Sequence, residues 1–119
     1  MTDPAELVVR RIGLSFARAL VAGEFEAAHG LLSEALKDDW PPSKLEEALA
    51  RMVQYGDGPP DEVELITFDD MDSWPRRQRA DLGWAYIAIC GDGFSEAVSV
   101  VVADEGGQPV IREVEWGRP

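Results

Sequence analysis

The spacing of apolar residues changes once along this chain, near Gly56–Asp61, and that change limits what it can fold into. Before it, apolar residues recur every three to four positions, the period of a helix lying on a core. After it they recur every second position, the period of a strand. Helices first and strands afterwards exclude an alternating parallel α/β fold and leave an α+β layered domain.

The helical half has clear punctuation. Ala5, Val8, Val9, Ile12, Phe16, Ala19 and Leu20 form one stripe. Asp3 can cap this helix, Pro4 suits its first position, Glu6 completes a capping box, and Gly23 can end it. A second helix from about Glu24 turns Phe25, Ala28, Leu31 and Leu32 inward and stops before Trp40-Pro41-Pro42. Ser43-Lys44-Leu45-Glu46 reads as another capping box. It opens a third helix whose inner residues are Leu45, Leu49, Met52 and Val53, and Gly56-Asp57-Gly58-Pro59-Pro60 closes that helix as a loop.

In the second half, strands are expected at about Glu62–Phe68, Asp81–Cys90, Phe94–Ala103 and Pro109–Trp116. The polar stretch Asp69–Arg79, with Pro75 inside it, is expected to be a loop. Gly91-Asp92-Gly93 and Asp104-Glu105-Gly106-Gly107 are hairpin turns by composition. With Cys90 set opposite Phe94, the even-numbered residues share one face, among them Trp84, Tyr86, Glu96, Arg112 and Trp116. The other face then holds Ala85, Ile87, Ile89, Ala97, Val101 and Ile111. Helices cover one apolar face, and the second calls for another cover, so a homodimer through the sheet is expected.

The expected fold class is therefore α+β: three N-terminal helices packed on a curved antiparallel sheet of about four strands, as a single domain spanning residues 1–119. Phe16-Ala17-Arg18-Ala19-Leu20 followed by Gly23-Glu24-Phe25-Glu26-Ala27-Ala28 resembles the step from first to second helix in the NTF2-like (cystatin-like cone, SnoaL-like) superfamily. The order of elements is similar along the whole chain. The resemblance implies a cone between helices and sheet and pairing of two copies through the sheet. Its enzymes place a carboxylate base and a Tyr or protonated acid in that cone. This chain lacks the early Tyr of the first helix and the Asp-His pair on the strands, so no catalytic residue is carried over. Fold alone does not choose among the superfamily's activities.

Composition narrows the partners. Twenty-three acidic residues against 11 basic ones give a formal charge of −12, which argues against nucleic acid and anionic membrane. A single Cys rules out an internal disulfide and multi-cysteine zinc patterns, and a single His rules out His-rich metal sites. Neither a metal nor a cofactor is expected. The start Met1-Thr2-Asp3-Pro4-Ala5-Glu6 is acidic, unlike a secretory signal, so a cytoplasmic location is expected.

The expected function is non-enzymatic binding of a small apolar ligand in the cone, with Trp84, Tyr86, Glu96, Arg112 and Trp116 around it. One alternative is a SnoaL-like or isomerase-like enzyme in which Glu96 is the base and Tyr86 the donor. Its bland counterpart is a structural Glu96–Arg112 pair with Tyr86 packing. Another alternative is an acidic immunity-type inhibitor of a basic protein. A His29–Cys90 dyad, a cation held by Asp69, Asp70 and Asp72, and an anion grip by Arg76, Arg77 and Arg79 beside Trp74 are weaker than their bland readings. Those are packing residues, a solvated loop and local charge neutralisation.

Overall fold

The computed structural model describes residues 3–54, 59–92 and 94–117. Four helices, α1 (Pro4–Val21), α2 (Phe25–Gly30), α3 (Glu34–Asp39) and α4 (Pro42–Val53), precede one antiparallel sheet. Its strands β1 (Glu62–Asp69), β2 (Asp81–Gly91), β3 (Phe94–Glu105) and β4 (Gln108–Trp116) lie side by side in chain order. The α+β class and the four-stranded meander agree with the sequence pattern. The expected loop at Gly56-Asp57-Gly58, and Gly93 of the first turn, lie outside the described residues.

Helix α1 begins where Asp3 Oδ1 accepts the Ala5 amide at 2.8 Å. It ends in a Schellman arrangement: the Glu24 amide donates to the Ala19 carbonyl at 2.8 Å and the Gly23 amide to Leu20 at 3.1 Å. Gly23 takes φ +77°, which glycine adopts without strain. Glu6 does not complete a capping box; its carboxylate pairs with Arg10 one turn on, at 2.8 Å.

The single second helix expected from the sequence is two short ones. At the break the Ser33 amide donates to the Ile111 carbonyl at 2.8 Å, and the Ile111 amide donates to Leu31 at 2.9 Å. Leu32 thus bridges to Ile111 in parallel fashion and covers the β4 edge. Backbone committed to the sheet cannot also continue a helix. Ser33 then starts α3, its Oγ accepting the Leu36 amide at 3.2 Å. The expected cap at Ser43 is also corrected: α4 starts at Pro42 after Pro41, without a side-chain cap.

The first hairpin differs by one residue from the expected register. Gly91, not Cys90, faces Phe94, so Cys90 faces Ser95, Tyr86 faces Ser99 and Trp84 faces Val101. A Cβ on Gly91 would stand 2.6 Å from the Phe94 ring, so only glycine fits at this closing pair. One residue of slip exchanges the faces of a strand. The helix side consequently receives Ala85, Ile87 and Ile89 of β2 with Val98, Val100 and Val102 of β3. Trp84, Tyr86, Ala88 and Cys90 turn outward. On β4, Val114 and Trp116 stay on the helix side, and a bulge at Arg112 brings Ile111 there as well.

Helix α1 crosses β1 and β2, and Phe16 and Leu20 are fully buried with Ile87, Ile89, Val98 and Val100. The approach is close at Gly13, where a Cβ would meet Ile87 Cδ1 at 3.0 Å and Ala85 Cβ at 3.4 Å. Gly13→Leu should therefore lower stability by about 1–3 kcal/mol through overpacking, despite leucine's better helix propensity. The shift of the urea unfolding midpoint measures it; an unchanged or raised midpoint would contradict this packing.

Candidate functional site

Between the helices and the sheet the centre is filled by side chains, and open space lies at one end. There Trp40, at the α3–α4 joint, and Trp116, at the end of β4, meet with ring centroids 5.5 Å apart and planes inclined by 49°. Trp116 rests in turn on the buried Phe16 at 6.4 Å. The two indoles, Ala48 and Met52 of α4, Arg51 and Glu96 line a cleft of about 390 Å³. That volume is in the lower range of small-ligand pockets. Pro41 and Pro42 end one helix and start the next, which sets Trp40 over the cleft. A cleft of about 450 Å³ near the start of α3 is lined by Arg11, Glu34, Lys37 and Glu105 among others, a mixed-charge surface without aromatic walls.

One buried polar atom beside the aromatic cleft is unsatisfied. Trp116 Nε1 is buried and has no hydrogen-bond partner among the described residues. A buried donor left unpaired costs on the order of 1–3 kcal/mol.

The five residues expected to share a pocket are divided. Glu96 and Trp116 line the cleft. Trp84 and Tyr86 lie on the opposite face of the sheet, their ring centroids 5.9 Å apart, with Trp74 packed on Trp84 at 5.6 Å. Glu96, opposite Ile89, and Tyr86, opposite Ser99, therefore cannot serve one reacting centre. The register correction removes that acid–base pair.

Arg112 has a different partner from the one expected. Its Nε and Nη2 donate to the two carboxylate oxygens of Asp81 at 2.5 and 2.7 Å, so the pair is with Asp81 and not Glu96. The Asp81 side chain is fully buried, and its Oδ2 also accepts the Gln78 amide at 2.8 Å. Burial pushes the Asp81 carboxyl up. The Arg112 and Gln78 hydrogen bonds, with the charges of Arg112 and Arg77, outweigh that and hold it below the usual carboxylate value. The Asp81 hydrogen bond holds Arg112 in its charged form against desolvation. Nothing in the sequence spacing of 81 and 112 advertises this pair. The bulge at Arg112 and the register bring them together.

The remaining candidates are kept apart. His29 Nε2 donates to the Lys37 carbonyl at 3.2 Å in the helical layer, while Cys90 Sγ lies 3.4 Å from Ser95 Oγ on the outer sheet face. In the acidic loop Asp69 accepts the Met71 amide and Asp70 the Asp72 amide. Among the described residues no group of His, Cys, Asp and Glu is placed to hold a metal ion. Arg76 reaches Glu113 and Glu115, and Arg77 donates to the Asp81 carbonyl. Sequence reasoning missed Trp40, Ala48, Arg51 and Met52. The Trp-Pro-Pro step was visible, but only as a helix stop.

No protein-family model, curated protein or solved structure matches this chain. No helix among the described residues is long and apolar enough to cross a membrane.

Removing one partner of the buried pair should be costly. Asp81→Ala should lower stability by about 3–5 kcal/mol, because it leaves the Arg112 guanidinium buried and unpaired. The carboxyl is more acidic folded than unfolded, so its contribution is fully present above the unfolded value near 3.8 and is lost as pH falls through the lower folded value. Urea titrations from neutral to acid pH should show the gap between wild type and variant narrowing only below about pH 4. A gap that closes already near pH 6 would contradict this account.

Proposed function

We propose that this chain is a non-enzymatic, NTF2-like ligand-binding domain that takes a small, flat, largely apolar molecule into the cleft between Trp40 and Trp116. The carrying observation is the cleft of about 390 Å³ itself, in which the Trp40 and Trp116 indoles, Ala48 and Met52 make the apolar lining and Arg51 and Glu96 the polar one. Aromatic walls favour a planar body. The position of the cleft, between helical layer and sheet, also suits the cone expected from the superfamily resemblance. Glu96 and Arg51 at its lining would orient the polar end of such a molecule.

The test is a screen of flat heteroaromatic fragments, followed by the side-chain indole N–H resonances in proton–nitrogen correlation spectra. A binding fragment should shift the Trp116 and Trp40 indole signals and leave those of Trp74 and Trp84 in place. Ala48→Phe should fill the cleft and weaken binding by about tenfold or more while the fold persists. If no fragment moves the Trp116 signal, or if Ala48→Phe binds as the wild type does, the cleft is not the binding site.

A further inference from the structure

The charged side chains around Trp40 depart from the balance of the rest of the chain. The sequence has 23 acidic residues against 11 basic ones. Beside the cleft of about 390 Å³ lies a second of about 270 Å³, and the two share Trp40, Ala48 and Arg51. Among the described residues, their charged lining is two cations, Lys44 and Arg51, and two anions, Glu47 and Glu96. A lining of zero net charge in a chain of −12 presents both signs to a ligand.

The two polar groups of the larger cleft come from different layers. Lys44, Glu47, Ala48 and Arg51 follow one another at helical spacing along one face of α4, with the sign of charge alternating. The Arg51 guanidinium lies 2.9 Å from Glu47, and the two side chains are 76% and 60% exposed. An exposed pair of this kind holds its members weakly, and a guanidinium has five N–H donors, so Arg51 keeps donors for a further acceptor. Glu96 comes from the sheet. Its place opposite Ile89 sets it on the helix side near the start of β3, where it is half-buried. A carboxylate has lone pairs for several donors, so Glu96 accepts one more while keeping the interaction it already has. Indole, alanine and methionine side chains make the rest of the lining.

We infer, resting on the reading of this cleft as a ligand site, that its ligand is an uncharged planar heterocycle carrying both an N–H donor and a carbonyl acceptor on its rim, the cyclic-amide (lactam) class. The ring N–H donates to Glu96 and the ring carbonyl accepts from Arg51, and both hydrogen bonds are strengthened by the charge on the protein side. An aromatic acid satisfies Arg51 but sets its carboxylate against Glu96. An aromatic ammonium satisfies Glu96 but sets its charge against Arg51. Each leaves one charge of the lining facing its like, and that repulsion discriminates as much as the attraction does. The negative charge of the remaining chain disfavours the acid further.

Four probes of similar size, titrated into the isotope-labelled full chain, test the inference: 2-quinolone, N-methyl-2-quinolone, 2-naphthoate and 2-naphthylmethylamine. The Trp40 and Trp116 indole N–H signals read occupancy. 2-Quinolone should bind about fivefold or more tightly than each of the others. Glu96→Gln should raise the affinity of 2-naphthoate about threefold or more and weaken 2-naphthylmethylamine, and Arg51→Gln should do the reverse. A merely structural role of either residue would move both charged probes the same way. Arg51 is exposed, so its variant keeps the test open if Glu96→Gln does not fold, and circular dichroism verifies both. Equal binding of 2-quinolone and its N-methyl form, or tighter binding of either charged probe to the wild type, would overturn the inference and leave the cleft standing as an apolar site. If none of the four probes moves the Trp116 signal, the reading of the cleft fails and the inference with it.

Discussion

The pairing of Gly91 with Phe94 is the constraint on which the rest of the structure depends. A strand has a side-chain period of two, so the closing pair of a hairpin decides the face of every residue behind it. With Gly91 at that pair, Ile87 and Ile89 meet Val98 and Val100 under α1, and the larger Trp84 and Tyr86 turn away. Branched aliphatic side chains of similar height give α1 a level surface. That surface lets α1 approach until Gly13 touches Ile87. An indole and a phenol at the places of Ile87 and Ile89, under α1, would force the helix outward.

A second constraint acts at the opposite end of the sheet. Asp81 begins β2 and Arg112 sits at the bulge of β4, so their pair spans β3. Asp81 also accepts the Gln78 amide, and its carbonyl accepts from Arg77. One buried carboxylate thus ties the loop of residues 70–80 to two strands. That loop places Trp74 on Trp84 and Arg76 against β4. The ion pair is a point of order for the outer face and has no part in lining the aromatic cleft. Breaking it should disturb the loop before it disturbs the helical layer.

Much of the fold was legible because it rests on local signals. Alternation marked all four strands to within a residue or two, and Asp3, Pro4 and Gly23 marked α1. The candidate site was legible only in part, because it rests on register and long-range pairing. Placing Cys90 opposite Phe94 put Trp84 and Tyr86 in a pocket with Trp116, and one residue of slip removed them. The Asp92-Gly93 pair, the composition preferred by two-residue hairpin loops, was the signal that could have set the register. The break at Leu32–Ser33 had a weaker one. Ser33 before Glu34 suits a new helix start, but the bridge to Ile111 that makes the break necessary joins residues far apart in the chain.

The register also explains why the two surfaces differ in chemistry. The four Trp fall two to a side: Trp40 and Trp116 at the mouth of the helical layer, Trp74 and Trp84 under the outer loop. On the helix side the indoles border a concave space whose depth comes from the gap between α4 and the ends of β3 and β4. On the outer side the middle of the sheet is closed, with Ala97, Ser99 and Val101 buried. The acidic residues of β1 and β4 stand at its edges. A concave, largely apolar cleft discriminates by shape. The sheet keeps the two surfaces apart, so neither draws on the other's residues.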